Sequence, residues 1–122
     1  MILVDTSIWI DHLHKAEPAL VDLLLAGEVS THQLIIEELA VGTLKNREEF
    51  LKTMSGLGRG LVLSHSELLD FVKEQQLWGR GLSPTDAHLL GSAVLSEGAT
   101  QLWARDKRLR QAAGSLGVAA GL

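Results

Sequence analysis

The chain contains no cysteine and no tyrosine, only two prolines, and aromatic side chains make up 4% of its 122 residues. Without cysteine there is no disulfide framework, no thiol nucleophile and no cysteine-ligated zinc, so any bound metal must rest on oxygen or histidine. The few aromatics offer little to build a platform on which bases stack, and Trp9, Trp78 and Trp103 read as core or interface residues. Basic residues are also in short supply. Eleven Lys and Arg stand against 15 Asp and Glu, a formal net charge of -4, which argues against a simple cationic nucleic-acid clamp. No apolar run approaches the roughly 20 residues that cross a bilayer, because Asp, Glu, Lys or Gly interrupts each hydrophobic segment. The opening Met-Ile-Leu-Val-Asp has no basic stretch and places an acid at Asp5, so it does not read as a signal peptide; the chain is expected to be cytoplasmic, with no membrane partner.

What is present suits one folded domain over residues 1–122. Hydrophobic residues make up 46% and charged residues 21%, enough to build a core without covalent staples. Ile2-Leu3-Val4 is a short continuous apolar run of the kind buried on both faces of a parallel sheet. Thr6 or Ser7 is placed to cap a helix starting near Ile8, and Glu17-Pro18 opens a second that runs to Gly27. A strand is expected at Val29 to Thr31, helices at Gln33 to Leu44 and Arg47 to Met54, and a strand at Leu61-Val62-Leu63. Ser64 or Ser66 caps a helix to about Trp78. Ser83-Pro84-Thr85-Asp86 combines a capping serine, a first-turn proline and an acid three residues after the cap, a strong start for a helix to about Ser96. Thr100 to Ala104 reads as a strand, Asp106 opens a helix to about Leu116, and Gly117 to Ala120 offers one last short strand. Alternating strands and helices define an α/β/α sandwich with a mainly parallel sheet of four to five strands.

Placed on this map, three acids share one kind of location. Asp5 follows the first strand, Asp86 lies in the first turn of its helix, and Asp106 follows the strand ending at Ala104. The carboxyl ends of parallel strands line one crevice, so these carboxylates are positioned to converge. Each also has a plainer role, because acids cap helices and complement the helix dipole; a cap and a metal ligand are not exclusive. Glu38 is less easily explained that way. At about 100° per residue from Leu34, Ile35 falls near about 100°, Glu38 near about 40°, Leu39 near about 140° and Val41 near about 340°, which puts Glu38 inside the apolar arc. A charge facing a core requires a partner, either an internal cation or a metal, and no basic residue lies one turn away on that face.

The histidines carry no site of their own on this reading. His12 and His14 point to different sides of a helix, His88 faces away from Asp86, and His32 and His65 are isolated. Gly56, Gly58 and Gly60 lack the Lys-Ser/Thr of a phosphate-binding loop.

Val4-Asp5-Thr6-Ser7, Glu38-Leu39-Ala40-Val41-Gly42, Gly81-Leu82-Ser83-Pro84-Thr85-Asp86-Ala87 and Trp103-Ala104-Arg105-Asp106-Lys107-Arg108-Leu109 together resemble the PIN-domain ribonucleases, most closely the VapC-type toxins of prokaryotic toxin–antitoxin pairs. Each motif is weak alone; four in order across the chain are fairly specific. The resemblance implies a PIN fold in which Asp5, Glu38, Asp86 and Asp106 hold Mg²⁺ or Mn²⁺ and cleave single-stranded or loop RNA, with transfer or ribosomal RNA as the target class. It also implies a homodimer, a cognate VapB-like antitoxin that covers or perturbs the site, and contact with DNA only indirectly through that antitoxin. The chain departs from the family pattern in two ways. Ala104 stands where a Thr or Ser is common, and Lys107 and Arg108 stand where some members carry a further acid, so a second metal is expected to bind less tightly than the first.

Elementary chemistry is consistent with this. Hard divalent cations take oxygen ligands, and Mg²⁺ keeps several waters while using a few carboxylates. Clustered carboxylates repel one another until a cation joins them. Asp5 and Asp86 are the expected direct ligands, with Glu38 and Asp106 binding directly or through metal waters. Thr6 and Ser7 are supporting residues, and Ser7 also reads as a helix cap. Arg105, Lys107, Arg108 and Arg110 surround Asp106 with positive charge and are either phosphate contacts or a solvated helix face; Lys45, Arg47 and Lys52 are a sparser second set. Two other classes compete: an inactive scaffold of the same fold that works by protein binding, and a receiver-like signalling domain. The latter wants an aspartate at the end of a mid-chain strand, where this chain has Leu61-Val62-Leu63-Ser64. Setting the four acids aside leaves eleven acids against eleven bases, so on this reading the whole acidic excess lies in one cleft.

Overall fold

The computed structural model describes residues 1–122. Four short strands, β1 (Ile2–Val4), β2 (Val29–Thr31), β3 (Gly58–Arg59) and β4 (Gln101–Trp103), form one sheet in the order β3-β2-β1-β4, and every pairing is parallel. Parallel neighbours need crossovers, which helices supply. α1 (Thr6–His14) and α2 (Pro18–Leu25) lead from β1 to β2; α3 (Gln33–Val41) and α4 (Arg47–Ser55) lead on to β3. α5 (His65–Glu74) and α6 (Pro84–Leu95) carry the chain back past β1 to β4, and α7 (Lys107–Ser115) follows.

The strand order dictates the layers. Crossovers are right-handed, so those running toward β3 and the one running back toward β4 place their helices on opposite faces of the sheet. α1 accordingly packs near α3 and α3 near α4 on one side, while α6 packs with α5 and α7 on the other. Leu3 and Val4 on the central β1 are fully buried between the layers, as are Ile8, Leu20, Ile35, Leu89, Leu90 and Leu109 from the helices.

Several element boundaries differ from the sequence expectation. The strand expected at Leu61-Val62-Leu63 lies at Gly58–Arg59 instead; the Gly60 amide still donates to the Thr31 carbonyl, and then the chain leaves the sheet with Leu61 and Val62 exposed. α1 is capped by the backbone position of Asp5 rather than by Thr6 or Ser7, which both lie inside the helix. α3 stops at Val41 and α5 at Glu74. The last expected strand is a single bridge between Ala119 and Leu102, so the sheet has four strands. Trp9 and Trp103 are buried, but Trp78 is 64% exposed and belongs to no core. No helix is long and apolar enough to cross a membrane.

His32 is not isolated either. It is fully buried at the start of α3, where its Nδ1 accepts a hydrogen bond from the Leu34 amide at 3.0 Å, and its ring centroid lies 6.1 Å from that of His88 on α6. Burial, and then the neighbouring His88, pushes the His32 pKa down and keeps the ring neutral. A depressed histidine stabilises the fold fully above the unfolded value and loses that contribution as pH falls from about 6.5 through the folded value. Urea midpoints should therefore fall across this window, and His32→Asn, which keeps a cap acceptor without a titrating ring, should flatten the slope; an unchanged slope would remove His32 as the source. Packing gives a second expectation. A Cβ at Gly91 of α6 would reach into buried Leu63 beside Phe71, so Gly91→Ala should lose about 1–3 kcal/mol to overpacking, against about 1 kcal/mol gained in helix propensity. A net gain in urea stability would contradict that close approach.

Candidate metal centre

The direction of the crossovers reverses between β1 and β4, and a crevice opens at their carboxyl ends, where open α/β sheets bind ligands. β1 and β4 run in register with Val4 beside Trp103, and the Asp5 amide donates to the Trp103 carbonyl at 3.0 Å, so both chains leave the sheet side by side.

Asp5 sits at that point. It is the cap residue of α1, yet its carboxylate makes no capping bond; Oδ2 instead accepts from the Ser7 hydroxyl at 3.3 Å. Half-buried, it has its pKa raised by desolvation in the first place and also by the charges of Asp86 and Glu38, while the Thr6 amide and Ser7 hydroxyl act in the opposite direction. That pattern describes a carboxylate lacking a counter-charge, with two further acids close by.

Glu38 reaches the crevice from α3, but it does so from solvent. Ile35 and Leu39 form the buried stripe of α3, Val41 is 88% exposed, and Glu38 lies at the stripe's edge. The expectation of a core-facing carboxylate, which counted Val41 as an inward residue, is thus corrected. Glu38 is aimed by a different device: the Thr6 hydroxyl donates to its Oε2 at 2.6 Å, linking α3 to the first turn of α1. No Lys or Arg pairs with it.

Asp86 and Asp106 arrive from the opposite layer, and both also serve as caps. Asp86 Oδ2 accepts from the Ser83 amide at 3.0 Å while the Asp86 amide donates to the Ser83 hydroxyl at 3.1 Å, closing a capping box on α6. Asp106 Oδ2 accepts from the Leu109 amide at 3.0 Å at the start of α7. Each cap engages only Oδ2 and leaves Oδ1 without a protein partner. Three of the four acids therefore stand at helix N-termini, where the helix dipole favours negative charge.

No three of the histidine and acidic side chains are gathered tightly enough, as they stand, to hold one ion among them. The donor set is nevertheless all oxygen and unneutralised, which suits a hydrated Mg²⁺ that keeps several waters and touches few carboxylates directly. The arrangement fits outer-sphere contact for part of the quartet and does not fit a closed cage.

The basic residues divide into three environments. Arg105 is engaged by two acids, with Nε 2.8 Å from Asp11 Oδ2 and Nη2 2.8 Å from Glu17 Oε2. Arg108 lies over Gly81, a residue at φ +74° where a Cβ would meet the guanidinium, and so joins the start of α7 to the turn before α6. Lys107 and Arg110 flank a groove of about 270 Å³ floored by Ala104, Ala119 and Ala120. In the second set, Arg47 pairs with Glu48 and donates to the Ala40 carbonyl. The Thr6 bond to Glu38 was not read from the sequence, though a hydroxyl directly after a strand-terminal acid was the available signal.

This combination of a four-stranded parallel sheet, two helical layers and acids spaced around the β1/β4 crevice defines a class. The family model of the PIN domain matches residues 2–115, and the chain belongs to that family. Among its relatives is Ribonuclease VapC32 of Mycobacterium tuberculosis, in strains CDC 1551 / Oshkosh and ATCC 25618 / H37Rv, 50% identical over 119 residues that cover 98% of this chain and 95% of the relative.

Two outcomes test the electrostatics. Asp5→Asn removes an unneutralised charge, so the metal-free variant should melt higher than the wild type; added Mg²⁺ should raise the wild-type melting temperature and leave the variant's unchanged. Ser83→Ala should lower stability by about 1 kcal/mol through the lost cap, measured by urea unfolding.

Proposed function

We propose that the chain is a Mg²⁺-dependent endoribonuclease toxin of the VapC type, a single cytoplasmic PIN domain over residues 1–122 that cleaves phosphodiester bonds in RNA and is neutralised by a cognate antitoxin. Mn²⁺ is an acceptable substitute for Mg²⁺. The observation that carries the reading is a half-buried Asp5 carboxylate at the β1/β4 crevice that no Lys or Arg neutralises, with Glu38 and Asp86, also unpaired, reaching toward it from opposite helical layers.

Asp5 and Asp86 would serve as direct ligands, with Glu38 and Asp106 holding the ion directly or through its waters. A divalent cation in this place supplies Lewis acidity toward a phosphate oxygen and lowers the pKa of water. Ser7 and Thr6 orient Asp5 and Glu38 respectively, each by one hydroxyl. Lys107, Arg108 and Arg110, on or beside the first turns of α7, attract flanking phosphates toward an otherwise acidic crevice. Ile10, Leu13, Leu25 and Val41 leave apolar surface on the α1 to α3 layer, and Leu69 and Trp78 leave more beside α5, surface that an antitoxin or a second copy of the chain would cover.

Purified, antitoxin-free protein incubated with structured RNA should cleave it in Mg²⁺ or Mn²⁺ and stop in EDTA. Asp5→Ala should reduce the rate by more than about a hundredfold, beyond what losing an outer-sphere partner costs, and Glu38→Ala should reduce it by at least about tenfold. Cleavage indifferent to EDTA and to both variants would overturn the metal reading, and failure to cleave any RNA would favour the scaffold that acts by binding.

A further inference from the structure

The acids of the crevice come from two helical layers, so their spacing depends on how firmly those layers are held together at this end of the sheet. The last backbone tie between β1 and β4 is the bond from the Asp5 amide to the Trp103 carbonyl. Beyond it, no backbone hydrogen bond joins residues 104–106 to another element. Ala104 is buried and has no hydroxyl to contribute, and the side chain of Asp106 bonds only within its own helix, to the Leu109 amide.

Arg105 bridges that gap. Its guanidinium reaches across to Asp11 on α1 and Glu17 at the start of α2, each at 2.8 Å, and these are the only ion pairs that connect the two layers. The acceptors are themselves placed: Asp11 lies on the helix that opens at Asp5, and the Glu17 amide donates to His12 Nδ1 of the same helix at 3.0 Å. A planar fork serving two carboxylates fixes direction as well as distance, which an ammonium group does not.

Resting on the metal reading above, we propose that Arg105 is a positioning residue for the metal centre rather than a phosphate contact: it fastens the β4–α7 junction that carries Asp106 to the helix that opens at Asp5, and so sets the gap a hydrated cation spans. Two of its three guanidinium nitrogens, Nε and Nη2, are already engaged by Asp11 and Glu17.

Electrostatics and positioning predict opposite signs, which makes the idea testable. By charge alone, Arg105→Gln removes a cation near a cation site and should tighten Mn²⁺ binding, whereas the double variant Asp11→Asn, Glu17→Gln should weaken it. Positioning predicts that both weaken it, by about tenfold, as loss of an outer-sphere partner does. Mn²⁺ affinity is measured by calorimetry without RNA, RNA affinity by filter binding in EDTA, and folding by thermal melting of each variant. The expected result is weaker Mn²⁺ binding in both variants with RNA affinity in EDTA unchanged. Tighter or equal Mn²⁺ binding by Arg105→Gln overturns the proposal. So does a double variant that binds RNA more tightly than wild type while Arg105→Gln binds it less, the signature of a freed phosphate contact. A wild-type chain that binds no Mn²⁺ overturns the metal reading and this proposal together; normal wild-type binding with unaffected variants overturns this proposal alone.

Discussion

One backbone hydrogen bond, from the Asp5 amide to the Trp103 carbonyl, governs the geometry at the carboxyl ends of β1 and β4. It locks β1 to β4 in a register that lets two chain segments leave the sheet together, one into α1 and one toward Asp106. Because crossovers are right-handed and the winding reverses at this pair, the segments enter opposite helical layers. The crevice is thus a product of topology before any side chain is considered. Side chains then decide what it attracts, and here they are carboxylates.

The protein itself satisfies those carboxylates unevenly. Asp86 and Asp106 recover stability by capping helices, and Glu38 takes a hydroxyl hydrogen bond, but Asp5 has only Ser7 and its local backbone against desolvation and two neighbouring charges. Strain of this sort is characteristic of sites arranged for a ligand that is not always bound. The capping roles explain why such a cluster is tolerated: helix N-termini are among the few places where several acids can lie near one another at modest cost.

The sequence made some of this legible and hid the rest for identifiable reasons. Ile2-Leu3-Val4, the Ser83-Pro84 helix start and the acids at strand ends are local signals, and the α/β/α class followed from their alternation. Leu61-Val62-Leu63 misled because a short apolar run does not reveal whether its neighbours bury it, and here only Leu63 goes inward. Glu38 does not face the core as its spacing suggests, because Val41 on the same arc is exposed; Thr6, thirty-two residues away, is what aims it. The engagement of Arg105 with Asp11 and Glu17 was invisible for the same reason: long-range ion pairs leave no periodic trace in the chain. His32 and His88 likewise come together only through the packing of α6 against the end of β2.

The central position of β1 has a consequence for how the protein comes into being. β1 lies between β2 and β4, and β4 follows it along the chain only after β2, β3 and six helices. The Met1 amino group itself bonds the Ala99 carbonyl. Until β4 arrives, β1 has an unpaired edge and the crevice has only one wall, because Asp106 is not yet in place. A growing chain therefore carries Asp5 well before it carries Asp106 and cannot bring the two together until β4 and the start of α7 have been made. Order along the chain, without any dedicated device, makes the crevice one of the later features of this fold to assemble.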